Sequence, residues 1–231
     1  MKQDVPSSTE SSGLTRRDAL ARAAGLVIAG VSGVAGADAH GKGRDTVGIN
    51  GAANGLELLA EVSQVGDDLT AYGYLTLVNG LSLDQIYSSG TLRDETTARF
   101  TFYGTAKVAS IQTRDTLIVA IANGQVEYFL RDVPGASFDT PTSFAQGQRI
   151  AADDAALQNV LNVTAPGIGV TTVFGDLGRT AAESFLVDGT RYQLGRVGLR
   201  SRLVAPGKSR RIEPVAPTSV QTVAGNITNP D

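Results

Sequence analysis

The sequence predicts an all-β fold, and two features of the 231-residue chain support this prediction. Short runs of alternating apolar and polar residues recur at close spacing, and no run of helical periodicity reaches about 12 residues. Asn-Gly, Asp-Gly and Pro-Gly pairs separate these runs, as is typical of turns between antiparallel strands. We therefore expect about 8 to 10 antiparallel strands in a closed barrel, with a β-sandwich as the alternative.

The N-terminal segment has the layout of a targeting sequence. Thr15–Leu20 reads TRRDAL, and the mildly apolar run Ala23–Ala37 follows it. This run is shorter than the ~20 residues of a membrane-spanning helix. The pattern resembles the twin-arginine export signal of bacteria. The resemblance implies a signal peptide over 1–39, cleaved after Ala37 or Ala39, and export through the twin-arginine translocase. An uncleaved membrane anchor is the alternative.

The distribution of aromatic and turn-forming residues divides the rest of the chain. Every phenylalanine and tyrosine lies between Tyr72 and Tyr192. Because aromatic side chains supply much of a core's buried area, we expect the barrel domain over 56–204. The preceding residues 40–55 are glycine-rich and are interpreted as a linker. The basic C-terminal segment 205–231 holds four prolines and is expected to be a flexible tail.

The first predicted strands form a hairpin followed by a longer bent strand. Leu56–Val65 fits both helical and alternating periodicity, but the turn 66–68 separates it from Leu69–Val78, a run of similar length. Two such runs around a turn favour a hairpin. Ala98–Tyr103 alternates aromatic and polar residues, and Thr105–Thr113 is expected to continue this strand past a bend.

The strongest hairpin signal lies in Thr116–Arg131, where Asn123-Gly124 separates two β-rich runs. Asn-Gly suits a type I′ turn because both central residues need positive φ. The next segment, Asp132–Gln148, is the longest irregular stretch in the predicted body, and a loop of this length usually covers or binds something. It is either pinned to the outside of the core by Phe138 and Phe144 or a lid over a cavity.

The remaining predicted elements are short. Ala151–Ala156 is expected to hold one helical turn. Leu157–Val163 and Ile168–Phe174 both alternate and are separated by a Pro-Gly turn. Glu183–Leu194 is predicted to be a second hairpin, with Asp188-Gly189 as its turn.

The residue inventory excludes several kinds of chemistry. The chain has no cysteine, so it has no disulfide, thiolate metal site or cysteine nucleophile. Its single histidine, His40, lies beside the predicted cleavage site. The predicted domain therefore lacks a histidine base, a Ser-His-Asp triad and histidine metal ligands. No phosphate-binding motif or EF-hand loop is present, and we expect neither a cofactor nor a metal.

Basic residues concentrate in 191–211. This stretch is either a solvated strand and tail or an anchor for an anionic envelope polymer or lipid head groups, to which lysine and arginine side chains are attracted. Nucleic acid is not expected as a partner, because the net charge of the whole chain is −3.

Three runs carry a resemblance to known proteins: ARFTFYG at 98–104, NGQVEYFLRD at 123–132 and SFDTPTSFAQG at 137–147. They look like parts of exported bacterial proteins of no assigned function. The strand rhythm is also similar to the small barrels of allene oxide cyclases and dirigent proteins. That resemblance implies an apolar small molecule inside the barrel and action without a cofactor, and it assigns no catalytic residue.

The first functional hypothesis is an extracytoplasmic barrel that binds a small, largely apolar ligand, because barrels often use their mouths as sites. Its candidate ligand-binding residues are Phe138, Phe144, Tyr103 and Tyr128. The second hypothesis is an envelope interaction module without a pocket.

The third hypothesis is a cofactor-free cyclase, isomerase or carboxylate-based hydrolase in the same cavity. Its candidate catalytic residues are Glu127, Glu183, Tyr128 and Arg99. A buried carboxylate with a raised pKa could act as an acid or base there. The parity of Glu127 and Arg131 equally fits a polar row that faces solvent, and whether the chain is an enzyme stays open.

Overall fold

The structure, a computed structural model, describes residues 45–48, 54–212 and 218–229, and these contain a closed eight-stranded antiparallel barrel. The predicted all-β barrel is therefore confirmed. The predicted signal peptide 1–39 lies outside the described residues. The strands are β1 (Asp45–Val47), β2 (Asn54–Val65), β3 (Asp68–Val78), β4 (Phe100–Arg114), β5 (Leu117–Leu130), β6 (Gln148–Ala165), β7 (Ile168–Ala182), β8 (Ser184–Val187), β9 (Thr190–Leu194), β10 (Arg200–Arg211) and β11 (Ser219–Thr228).

Neighbouring barrel strands follow the order β10-β11-β2-β3-β4-β5-β6-β7, and β7 pairs with β10 to close the ring. Two-residue turns join β2 to β3, β4 to β5 and β6 to β7 at one end, which we call the hairpin end. Longer connections lie at the other end, which we call the loop end. There β9 pairs with β1 and β8 in a three-stranded sheet.

Alternate residues of each barrel strand point into the barrel and are buried. On β2 these are Leu56, Leu58, Ala60 and Val62, each at most 2% exposed. Phe102 on β4 and its cross-strand partner on β5, Tyr128, lie in the same core. The interior of an eight-stranded barrel is just wide enough for side chains to fill it. The side chains named here fill the parts of the interior in which they lie.

The three-stranded sheet covers the loop end with apolar side chains. Val47 on β1, Phe185 on β8 and Leu194 on β9 are buried in the same core as the barrel interior. The Phe185 ring lies 5.8 Å from the Phe100 ring, edge to face. Burial of these side chains ties the small sheet to the barrel.

Several predicted elements are confirmed. Leu56–Val65 and Leu69–Val78 pair as a hairpin, and β4 continues through the predicted Thr105–Thr113 segment. The turn between β8 and β9 is Asp188-Gly189, with φ of 50° and 80°. Positive φ at both central residues is what a type I′ turn requires.

The predicted turn at Asn123-Gly124 is wrong, because both residues lie inside the continuous strand β5. Gly124 points into the barrel, and a Cβ there would lie 2.1 Å from the Thr105 carbonyl oxygen and 2.5 Å from the Ala106 Cβ. The glycine is therefore needed for close packing between strands and not for a turn.

The predicted helical turn at Ala151–Ala156 is also wrong, since these residues lie in β6 and alternate between the interior and the surface. The α-helix among the described residues is the single turn α1 (Leu83–Ile86), and Pro141–Ala145 forms a 3₁₀ turn. Within residues 45–48, 54–212 and 218–229, no helix is long and apolar enough to span a membrane.

The predicted flexible tail 205–231 is corrected as well, because β10 and β11 fall largely within it and complete the barrel. Pro206 lies in the middle of β10 on an exposed position. The pairing of β10 with β11 skips Ala205 and Pro206, while the pairing with β7 continues through both. A proline without an N–H is tolerated where one ladder is interrupted. β1 likewise lies inside the predicted linker.

Candidate functional site

A charged pair lies inside the barrel, between β6 and β7. The Arg179 Nε is 2.5 Å from Asp153 Oδ1, and neither side chain is more than 1% exposed. The Arg179 guanidinium also donates a hydrogen bond to the Leu194 carbonyl of β9 and lies 5.3 Å from the centre of the Tyr128 ring. Burial raises the pKa of Asp153, and the neighbouring guanidinium opposes this effect.

This pair joins the barrel wall to the sheet over the loop end, because one guanidinium binds both β6 and β9. Sequence reasoning missed it, since the stretch around Asp153 was interpreted as a helical turn. The available signal was an acid on the same strand parity as Ala151 and Ala155. A charge in an otherwise apolar alternating row indicates a buried partner.

A groove of about 510 Å³ lies on the outside of the barrel, across β5, β6, β7 and the start of β10. Its volume falls in the range of small-molecule sites, about 300–1,000 Å³. Small residues leave the space open: a Cβ at Gly178 would meet no atom within 4 Å. Ala156 and Gly178 face outward here without a large side chain, and the small residues Gly124, Ala155 and Gly198 also border the groove.

Polar and charged side chains line the rest of the groove. Asp154 accepts a hydrogen bond from Gln125, 3.3 Å away. Asp176 pairs with Arg202, with 2.6 Å between Oδ1 and Nη1. Carboxylates, an amide and guanidinium groups suit a ligand with several hydroxyl or other polar groups. The polar side chains that line the groove are those of Asn123, Asp154, Asp176, Thr180 and Arg200.

Backbone hydrogen bonds fix the rim of the groove beside β10. The Gly198 N–H donates to the Arg179 carbonyl, and the Arg179 N–H donates to the Leu199 carbonyl, each at 2.9 Å. The side chain of Arg179 is part of the buried pair. The backbone of Arg179 therefore holds the rim of the groove, while its side chain forms the buried ion pair inside the barrel.

The candidate acids Glu127 and Glu183 lie on the outside of the barrel. Arg149 stands between them, 2.9 Å from the Glu127 Oε1 and 3.2 Å from the Glu183 Oε1. Their side chains are 44% and 47% exposed. Hydrogen bonds to Glu127 and Glu183 raise the pKa of Arg149. The candidate Arg99 lies elsewhere, 3.7 Å from Asp188.

The candidate aromatic residues divide between two places. Phe138 and Phe144 contact each other, with 5.0 Å between ring centres, and Phe144 lies 5.7 Å from Tyr72 on the outer face of β3. Tyr103, the cross-strand partner of Tyr72, is half-buried beside them. Tyr128 is instead inside the barrel, so the four candidates do not form one site.

The loop 132–148 is thus packed on the outside of the barrel. Phe144 is fully buried, and its carbonyl accepts a hydrogen bond of 2.8 Å from Thr101. The Arg131 guanidinium donates to the Ser143 carbonyl, and burial lowers the pKa of Arg131. Of the two alternatives for this loop, these contacts favour the one in which phenylalanine side chains pin it to the outside of the core.

The part of the chain that the structure describes contains no group of three or more His, Cys, Asp and Glu side chains that could hold a metal ion. Comparison with known proteins gives no family: no family model, no curated protein and no solved structure matches the chain.

Proposed function

We propose that this chain is a binding protein that holds a small, polar, hydroxyl-rich molecule, such as a saccharide unit, in the outer groove. The observation that supports the proposal is the groove of about 510 Å³, with small residues that leave it open and charged residues on both sides. Hydroxyl-rich ligands are bound through carboxylate, amide and guanidinium groups of this kind.

A polar ligand in the outer groove is favoured over the apolar ligand inside the barrel that the sequence suggested. The interior-facing side chains are packed against one another, as the contact of 6.3 Å between the Phe102 and Tyr128 ring centres illustrates. An apolar guest inside the barrel would have to displace such side chains. The groove needs no such rearrangement, because its floor is built from residues without large side chains.

We favour binding over catalysis because the acids available to the groove are not poised as a catalytic pair. Asp176 is paired with Arg202, and Asp154 accepts a hydrogen bond from Gln125 on the neighbouring strand. A carboxylate that acts as acid or base needs both a perturbed pKa and contact with the substrate. A cofactor-free enzyme remains the alternative hypothesis.

Action outside the cytoplasm is part of the proposal and is supported by the sequence. The TRRDAL segment at Thr15–Leu20, the short apolar run after it and the absence of cysteine fit a chain that is exported through the twin-arginine translocase. Export could be tested by fractionating cells that express the full-length chain and a variant with both arginines replaced by lysine.

The groove is tested by filling it. Gly178→Leu places a side chain in open space, and Gly90→Leu is the control because Gly90 is equally free of neighbours but lies outside the groove. A panel of neutral, amino and acidic mono- and disaccharides would be titrated against ¹⁵N-labelled protein. We expect shifts at Asp154, Thr180 and Gly198 in the wild type and in Gly90→Leu.

The same shifts should be lost in Gly178→Leu while its melting temperature stays near that of the wild type. The proposal fails if no saccharide of the panel perturbs the groove resonances. It also fails if Gly178→Leu binds as well as the wild-type protein.

A further inference from the structure

The outer face of β5, β6 and β7 near the hairpin end carries many apolar side chains, although it faces away from the barrel core. The polar residues Asn162 and Thr172 lie among them. Leu117, Ile168 and Val170 are 40%, 56% and 53% exposed. They continue into half-buried apolar residues on the same outer parity. We call these six residues the apolar face: Leu117, Val119, Val160, Ile168, Val170 and Phe174.

The strand register places basic side chains directly beside the most exposed members of this face. Val170 is the cross-strand partner of Lys208, and Ile168 is the partner of Arg210. On the opposite side, Leu117 is the partner of Arg114. Among the described residues, no carboxylate forms a salt bridge with these three basic side chains, although Asp115 lies in the adjacent turn.

The size of the face argues against a second copy of this chain as its occupant. Strands lie about 4.8 Å apart and residues on one face repeat about every 6.8 Å, so four rows on three strands cover about 400 Å². A stable dimer buries about 800 Å² on each partner. An apolar patch next to basic groups that form no salt bridge within the described part of the chain fits an anionic lipid surface better. There apolar side chains enter the interface and basic groups contact phosphates.

We propose that the apolar face, with Arg114, Lys208 and Arg210, docks on an anionic lipid bilayer. Leu117, Ile168 and Val170 enter the head-group region, and the basic side chains bind lipid phosphates. Only part of the basic stretch 191–211 contributes, because Arg191 lies on β9 at the loop end. The docking surface adjoins the groove but does not depend on a ligand there.

The test is flotation of residues 40–231, the chain without the predicted signal peptide, with vesicles of phosphatidylcholine alone or with 30% phosphatidylglycerol. Lys208→Gln/Arg210→Gln should lower the partition coefficient about 25-fold, as expected for two basic residues at an anionic surface. Ile168→Thr/Val170→Thr, which keeps branched side chains suited to strands, should lower it about tenfold. The matched controls are Val65→Thr, which is 52% exposed at another hairpin, and Arg191→Gln.

Unchanged partitioning of both controls, together with a preference for phosphatidylglycerol that salt weakens, would support the proposal. The proposal is overturned if the partition coefficient of the wild-type protein is the same with and without phosphatidylglycerol. It is equally overturned if the threonine double variant binds like the wild type, since binding would then be purely electrostatic, as to a soluble anionic polymer. Size-exclusion chromatography that shows a dimer lost in the threonine variant would assign the face to a second copy instead. Circular dichroism of each variant checks that the barrel is folded.

Discussion

Asp153 and Arg179 form an ion pair inside the barrel, with 2.5 Å between Oδ1 and Nε and at most 1% of either side chain exposed. Removing one partner leaves the other charge buried and uncompensated, which typically costs 3–5 kcal/mol. We therefore expect Asp153→Ala to lower the free energy of unfolding by about 3–5 kcal/mol. Urea unfolding at neutral pH measures this.

The exposed pair between Asp176 and Arg202 is the matched control, and Asp176→Ala should change the stability by at most about 1 kcal/mol. The double variant Asp153→Leu/Arg179→Met should lose less stability than Asp153→Ala alone, because it leaves no charge buried. A loss below about 1 kcal/mol in Asp153→Ala would contradict the buried pair.

Replacement of Gly124 by alanine is expected to destabilise the barrel. A Cβ there would lie 2.1 Å from the Thr105 carbonyl oxygen, a contact with backbone that cannot move aside cheaply. Overpacking of this kind costs about 1–3 kcal/mol or more, so Gly124→Ala should lower the melting temperature by several degrees. Gly90→Ala, with no atom within 4 Å of its Cβ, is the control, and equal stability of the two variants would refute the close approach.

The buried phenol of Tyr72 should make stability fall at high pH. Burial, with the nearby Glu61 carboxylate, raises the pKa of Tyr72 to about 12. Because the folded pKa exceeds the unfolded value of about 10, the contribution of the neutral phenol is complete below pH 10 and is lost as pH rises towards 12.

Absorbance titration at 295 nm measures this directly. Tyr72→Phe should remove one phenol with a midpoint near pH 12, and its unfolding free energy should fall less between pH 10 and 12 than that of the wild type. Tyr87, with a pKa also raised to about 12 by burial, provides a second phenol for comparison. Loss of a phenol with a midpoint near 10 would show that Tyr72 is solvated.

The last strand should be indispensable for folding. β11 pairs with β10 on one side and β2 on the other, so a chain that ends at Ile212 cannot close the barrel. We expect such a truncated chain to lack a cooperative thermal transition, since two rows of backbone groups lose their partners. A truncated protein that melts like the full-length chain would show that the C-terminal segment is a dispensable tail.

The local pattern determined the strand content of this protein. Alternating side chains place one face of each strand inward. Asp188-Gly189 forms the predicted turn, because aspartate and glycine are among the few residue types that accept positive φ. The sequence left two alternatives for the loop that carries Phe138 and Phe144, pinned to the core or a lid, and both depend on the burial of large apolar rings.

Only the tertiary structure decided what depends on strand-to-strand spacing. Gly124 follows an asparagine, as in a turn, but the neighbouring strand at Thr105 is what requires a residue without a Cβ. The sequence around Pro206 predicted a tail. In the structure Pro206 lies in strand β10, at a position where the pairing with β11 is interrupted. Asp153 and Arg179 are 26 positions apart in the sequence, and they form their pair because β6 and β7 are adjacent antiparallel strands. Local propensity acts over a few residues, whereas closure of a barrel fixes contacts between distant ones, and those contacts made the buried pair and the groove.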